Sequence, residues 1–255
     1  MAVSASTKLL VDTMICVNAD GYRNDGETLV TPIGVLPRVA ASLAMLSCNP
    51  DMMITDSEAW MLSAPNPLDR PEGFKPSVES WMGLSRVFDN LWGGKRHITC
   101  TPTQVDQYGQ ANISMIGADH SSPDVQMLGV RGFPGNSICH ANTFLIPKHS
   151  RKVFVSGECD VVCTIGYNNS RLPRGYSFDD IDIRKIVTNL CVLDFAGPNH
   201  SIRLVSIHNG VSVDEIRDNT GFHIHIPDNV IETPSPASLQ LKLIQEIDPL
   251  ERRYS

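Results

Sequence analysis

Apolar residues in the first stretch of the chain return at helical spacing. Leu9, Met14 (with Leu10) and Val17 recur at that spacing with Lys8 and Asp12 set among them, which predicts an amphipathic first helix. Residues 32–50, PIGVLPRVAASLAMLSCNP, repeat the spacing with many small side chains and stop at Asn49-Pro50. The short apolar run DMMIT (51–55) reads as a buried strand. SRVFDNLWGG (85–94) predicts a helix with Ser85 as N-cap and Gly93-Gly94 as its stop, and RHITCT (96–101) predicts the next strand. Further strands are expected at 153–155, 186–195, 202–207 and 222–226. In SVDEIRDNTG, Ser212 is followed three residues later by Glu215, the pattern of a capping box, and the helix ends at Gly221. Residues 235–249 predict a last amphipathic helix.

Strand and helix patterns thus alternate along nearly the whole chain. That alternation argues for an α/β fold with an open, mostly parallel sheet flanked by helices. There is no internal repeat, and the chain is read as one domain spanning 1–255. Two long polar excursions, 63–80 and 167–180, have the length of lids or partner contacts.

Composition narrows the classes of function. With 255 residues the chain can bury a sizeable core, and 42% hydrophobic with 19% charged residues is ordinary for a globular protein. The formal net charge is −7 and no run of Lys or Arg occurs, so neither nucleic acid nor an anionic membrane is an expected partner. A local positive pocket for a phosphorylated ligand is still compatible with that balance. Lys8 and Asp12 break the N-terminal apolar segment and no small-residue cleavage site follows, so no signal peptide is expected. No segment approaches the roughly 18 uninterrupted apolar residues of a membrane span. The seven cysteines are odd in number, and Cys48, Cys100, Cys163 and Cys191 sit in apolar surroundings. They read as reduced core residues of a cytoplasmic protein.

Three stretches carry candidate chemistry. In MMITDSEAWML (52–62) an apolar run halts at Asp56, Ser57 and Glu58 before resuming, so two acids stand at the end of a buried strand. TQVDQYGQANIS (103–114) reads as strand, Asp-Gln-Tyr-Gly turn and strand, with Gln104 and Asn112 flanking the turn. GVRGFPGNSICH (129–140) is a glycine-rich loop with Gly129, Gly132 and Gly135 at three-residue spacing, Arg131 as a permanent cation, and Asn136 and His140 further on. Backbone N–H groups in such a loop can hold a phosphate or an oxygen that becomes negative in a transition state, although a tight connection has the same look. It is neither the dinucleotide fingerprint nor a P-loop. His223 and His225 share a strand face without a third ligand, and Cys159 and Cys163 lack a second cysteine pair, so no metal site is expected. GPNHS (197–201) follows a buried strand, where Asn199 or His200 either touches substrate or closes a turn.

Taken in order, the acid-ended strand, GGKRHIT, QVDQYGQANIS, GVRGFPGN and DFAGPNHSIRLVSIHNGVSVDEIRDNTGF resemble the beta subunits of class I CoA-transferases over about residues 25–225. Within that family QVDQYGQANIS, GVRGFPGN and DFAGPNHS are most similar to the branch of steroid ring-cleaving CoA-thioester hydrolases. The resemblance implies an open α/β fold, an alpha partner of related fold in a heterodimer or heterotetramer, and an active site at their interface. It implies a coenzyme A thioester as substrate and no permanently bound cofactor.

The family's transferases attack the thioester with a beta-subunit glutamate, and aligned without a gap that position is held here by Asp56. A one-residue shift recruits Glu58 instead and loses the matches at Ser57 and Ala59. Aspartate is one methylene shorter, and a misplacement on the order of 1 Å costs about a hundredfold in rate. The departure therefore favours hydrolysis over transfer. In the ring-cleaving branch, water adds to a ring carbonyl and a C–C bond breaks with an enolate leaving. On this chain Arg131, Gly132, Gly135 and Asn136 are the implied oxyanion donors, with Gly129, Gln104 and Asn112 as substrate or CoA contacts, while the principal base is expected on the alpha chain. Two other readings stay open at this point: a true CoA-transferase of the glutaconate or 3-oxoacid type, and a scaffold for a catalytic alpha subunit.

Overall fold

The computed structural model describes residues 4–56 and 59–255, which group into two compact units: the chain up to Cys100 together with Pro234–Ser255, and Thr101–Thr233.

The first unit opens with α1 (Ala5–Asp20), started by the Ser4 hydroxyl, which accepts the Thr7 N–H at 3.1 Å. Strand β1 (Leu29–Pro32) leads into α2 (Val35–Ser47), whose Pro37 sits in the first turn, where no N–H is needed. Strands β2 (Met53–Asp56), β3 (Trp60–Leu62), β4 (Val78–Trp81) and β5 (Arg96–Cys100) follow. They run in the order β5-β1-β2-β3-β4, parallel across β5-β1-β2 and antiparallel through the two hairpin partners β3 and β4.

β1 is too short and proline-ended to stand out as an apolar run, yet it is an interior strand, paired on both edges. The expected helix over 85–94 is absent; two 3-10 turns, Leu84–Arg86 and Asp89–Leu91, occupy it. Its large side chains explain why. Phe88 and Trp92 are exposed and only Leu91 is buried, so the segment has no apolar face to repay a helix's ordering. The excursion over 63–80 ends as β4.

The second unit contains a short hairpin, β6 (Gln104–Val105) with β7 (Ala111–Asn112), and a second, β8 (Met115–Ile116) with β9 (Val125–Gln126). Helix α3 (Phe133–Cys139) then enters β10 (Ala141–Ile146), buried along its whole length and not evident as a strand in the sequence. β11 (Asp182–Thr188) pairs parallel with β10, and β12 (Cys191–Asp194) and β13 (Arg203–Ile207) add antiparallel. The single strand expected over 186–195 is thus a hairpin. The Thr188 hydroxyl accepts the N–H groups of Leu190 and Cys191 at 3.0 and 3.1 Å, which folds the chain back within three residues.

Helix α4 (Val213–Asp218) starts where the sequence indicates, with the Ser212 hydroxyl accepting the Glu215 N–H at 3.1 Å. β14 (Ile231–Glu232) lies parallel to β13. Stretches 153–155 and 222–226 do not form strands; each makes one isolated bridge, Phe154 with Val105 and His225 with Arg203.

The chain returns to the first unit as α5 (Ser238–Ile247). Its Ile244 and Ile247 join Val39, Leu43 and Met45 of α2, Ile15 of α1, and Val30 and Ile54 of the sheet in one core. Each such side chain, fully buried, contributes about 1.5–3 kcal/mol. The tail is held by charge: Arg253 donates through Nε to Asp12 at 2.8 Å and through Nη1 to Asp248 at 3.0 Å, all three buried. All seven cysteines are unbridged, five of them buried, and no described helix is long and apolar enough to cross a membrane. The fold is an α/β mixed sheet with helices packed on it, parallel at the centre of the first unit and antiparallel where hairpins extend it.

Candidate functional site

The second unit holds two of the three stretches singled out by sequence. In the β6–β7 hairpin, Gln104 and Asn112 face each other in register, and both are buried. Asn112 Nδ2 donates to Gln104 Oε1 and to the Met115 carbonyl, each at 2.7 Å, and its Oδ1 accepts the Ser114 N–H at 2.8 Å. Gln104 Oε1 also accepts the Asp160 N–H at 3.0 Å. The Ser114 carbonyl in turn accepts the Met127 N–H at 3.0 Å, two residues before Gly129. The amide pair therefore acts on the glycine-rich stretch through the backbone: it sets the strands from which that stretch departs.

The hairpin turn is built round Asp106. Its buried carboxylate accepts the N–H groups of Tyr108 and Gln110 at 2.9 and 3.0 Å. Burial nevertheless pushes its pKa up to about 6, against the lowering effect of those two N–H donors, with a smaller upward push from Glu158. Gly109 has φ +74°, and a Cβ there would stand 2.4 Å from Cε1 of Phe195. Cys159 and Cys163 pack behind the same hairpin, their thiols directed at the Gln110 carbonyl (3.3 Å) and Asn112 Oδ1 (3.7 Å), and burial raises both thiol pKa values. They are packing residues. Among the described residues no group of three or more His, Cys, Asp or Glu is gathered as metal ligands. His223 is exposed on a segment without strand pairing of its own.

The glycine-rich stretch is only partly a loop. Residues 133–139 close into α3, since Pro134 sits within its first two positions, pre-set for a helix, and Gly132 caps it. Ahead of the helix Gly129 (φ +76°) and Arg131 (φ +50°) are both left-handed, and Arg131 is exposed. For an arginine that conformation is uncommon, and it turns the chain sharply at the cation. Val125, Leu128 and Val130 are exposed beside it, an apolar run of the kind that marks a contact surface. Gly135 is buried. Asn136 Oδ1 and Asn142 Oδ1 are buried acceptors without a partner among the described residues, although Asn142 Nδ2 is fully used on the carbonyls of Asn136 (3.1 Å) and His140 (2.6 Å). The stretch Gly129–His140 thus offers a cation and one such acceptor, Asn136 Oδ1, with the second, Asn142 Oδ1, just beyond it in β10. His140 is buried under it.

A cavity of about 680 Å³ lies elsewhere in this unit, lined by Tyr108, Tyr167, Asn168, Phe178, Phe195 and His200 among others. Tyr167 stands 4.8 Å from Phe195 and stacks on His200 at 5.5 Å, ring centre to ring centre. Asn199 and His200 are both left-handed, so GPNHS is a turn that also presents its imidazole to the cavity. The rings come from four separated stretches. Only the turn residues could have been suspected from sequence.

Asp56 closes β2 in the first unit; its side chain, and Ser57 and Glu58 entirely, lie outside the described residues.

No protein-family model matches the chain. Compared with characterised proteins, it is 40% identical over 249 residues, 97% of each chain, to the cholesterol ring-cleaving hydrolase IpdB subunit of Mycobacterium tuberculosis (strain ATCC 25618 / H37Rv). The crystal structure of Rhodococcus jostii RHA1 IpdAB superposes with a TM-score of 0.88 at 33% identity, covering 100% of this chain and 98% of that one. Glutaconate coenzyme A-transferase from Acidaminococcus fermentans superposes at 0.78 with 20% identity, covering 96% and 97%, a likeness of fold alone.

Proposed function

Because the chain belongs to the family of the cholesterol ring-cleaving hydrolase IpdB subunits, we propose that it is the beta subunit of a heteromeric hydrolase opening a carbocycle of a steroid-derived coenzyme A thioester. The observation that carries this is the 40% identity extending over 97% of both chains. Residues 1–255 then act as one beta-subunit domain with an alpha chain as partner, in the cytoplasm, where the thiols stay reduced.

In this reading hydroxide from water adds to a ring carbonyl, and the bond from that carbon to its neighbour breaks. The carbonyl carbon becomes a carboxylate, and the electron pair leaves as an enolate that takes up a proton. The step asks for a carboxylate base and for donors facing the oxygen where charge develops. The base falls to the alpha chain. On this chain the reading assigns Arg131 and the N–H groups of Gly132 and Gly135 as donors, since Pro134 has none and those of Phe133 and Asn136 are spent on Val130 and Gly132. Gly129 sets the turn. Asn136 meets a substrate donor, and the Gln104–Asn112 pair positions the stretch. Asp56, at the place of the family's attacking acid, orients water or substrate without forming a thioester, and Glu58 is the alternative.

Hydrolysis of a ring-bearing CoA thioester by the assembled enzyme tests the assignment. Asp56→Ala is expected to lower turnover on the order of a hundredfold, and Asp56→Glu to lower it by crowding. A larger loss in Glu58→Ala reassigns the site residue. Undiminished activity in both alanine variants, and in Arg131→Ala, reduces the chain to a scaffold. Exchange of CoA between acyl donors would convert the hydrolase into a transferase.

A further inference from the structure

The sheet of the first unit has a helix-covered face and an opposite one. Val30 and Ile54 point into the core with α1, α2 and α5, and His97 meets the Tyr22 ring at 4.6 Å. Side chains alternate along a strand, so their neighbours Leu29, Met53 and Arg96 point the other way. These three are matched in register, Arg96 beside Leu29 and Leu29 beside Met53.

Arg96 is 7% exposed. One N–H of its Nη2 goes to Thr31 Oγ1 at 2.8 Å; Nε and Nη1 are buried and have no hydrogen-bond partner among the described residues. An arginine cannot shed its proton inside a protein, so this is a buried charge without compensation among the described residues. It also borders a cavity of about 300 Å³, whose wall includes Glu27, Asn90, Gly93, Gly94 and Lys95. Lys95 is turned to the Asp25 carbonyl, to which its Nζ donates. Gly94 is left-handed, and a Cβ there would meet nothing within 4 Å, so the cavity is open at that point.

We propose that this cavity is a binding site for the carboxylate of a small molecule, taken by the guanidinium of Arg96. Thr31 holds one corner of the guanidinium in place. Nε and Nη1 are closed to water in the unliganded chain, so binding draws the guanidinium toward the cavity, where the second Nη2 N–H pairs with Nε–H or an Nη1 N–H as a fork, the arrangement that a carboxylate fills with two parallel hydrogen bonds. Glu27 on the rim disfavours a dianion such as phosphate and leaves a monoanion as the better occupant. The inference is independent of the proposed reaction. Along β2 the cavity lies at Met53, and the acid-bearing stretch begins at Asp56, about 10 Å further on.

Thermal unfolding of the complete complex, titrated with sodium acetate or propionate and with phosphate and chloride at matched ionic strength, tests the site. The wild type is expected to gain several degrees with carboxylate at saturation, and little with phosphate or chloride. Arg96→Met is expected to lose the response while unfolding no lower than the ligand-free wild type, because an uncompensated buried charge is replaced by an apolar chain of similar reach. Arg96→Lys keeps the cation without the fork and should need at least tenfold more carboxylate, read by calorimetric titration. Three results would overturn the proposal: no carboxylate response in the wild type, a response that survives in Arg96→Met, or an equal response to phosphate. A fall in the ligand-free midpoint of Arg96→Met with no wild-type response makes the arginine structural.

Discussion

Asp106→Asn separates the two effects of the carboxylate in the hairpin turn. Asparagine keeps an Oδ1 that can accept the N–H groups of Tyr108 and Gln110, now at 2.9 and 3.0 Å, and removes only the charge. In the folded chain the acid titrates near 6, against an ordinary 3.8, chiefly because it is buried. A shift of about two pKa units corresponds to about 3 kcal/mol. The sign follows from proton binding: between pH 3.8 and 6 the folded state holds a proton that the unfolded state has released. The favourable contribution of Asp106 is therefore complete below 3.8 and is lost as pH rises through 6. Above pH 6 the wild type carries the full cost of a buried charge, and the asparagine variant carries none. Urea unfolding of the complex at pH 4.5, 6 and 8 should show the variant more stable at pH 8 by up to about 3 kcal/mol. Its advantage should shrink by about 1.4 kcal/mol per pH unit on the way down. A variant less stable at pH 8 than the wild type would refute the reasoning, since the charge would then have a compensating cation supplied on assembly.

Gly109→Ala places a methyl 2.4 Å from the Phe195 ring at φ +74° and should cost about 2–5 kcal/mol, left-handed strain and overpacking together, measured as the same urea midpoint. Arg253→Ala strands the buried Asp12 and Asp248 and should cost about 3–5 kcal/mol. Arg253→Ala with Asp12→Asn should recover part of that loss, and no recovery would mean that the tail is held by packing alone.

Some elements were legible residue by residue. The helices Ala5–Asp20, Val35–Ser47, Val213–Asp218 and Ser238–Ile247 appear close to where periodicity and capping residues put them, because their hydrogen bonds close within four residues. The Gln104–Asn112 hairpin was legible for the same reason: its turn chemistry is local. Strings such as QVDQYGQANIS and GVRGFPGN carried the family, and the comparisons bear that out over almost the whole chain.

What tertiary structure alone decided is whatever depends on distant partners. Leu29–Pro32 is an interior strand only because β2 and β5 pair with both its edges, and 85–94 is no helix because nothing buries one of its faces. Arg96 reads in sequence as an ordinary basic residue before a strand. Only the pairing of three strands turns it inward, and only the absence of a counter-charge among the described residues makes it a candidate site. The aromatic cavity is likewise assembled from four stretches that no local pattern connects. Hydrogen bonds within a turn or helix are written in neighbouring residues, whereas burial and charge compensation are properties of contacts between residues tens of positions apart.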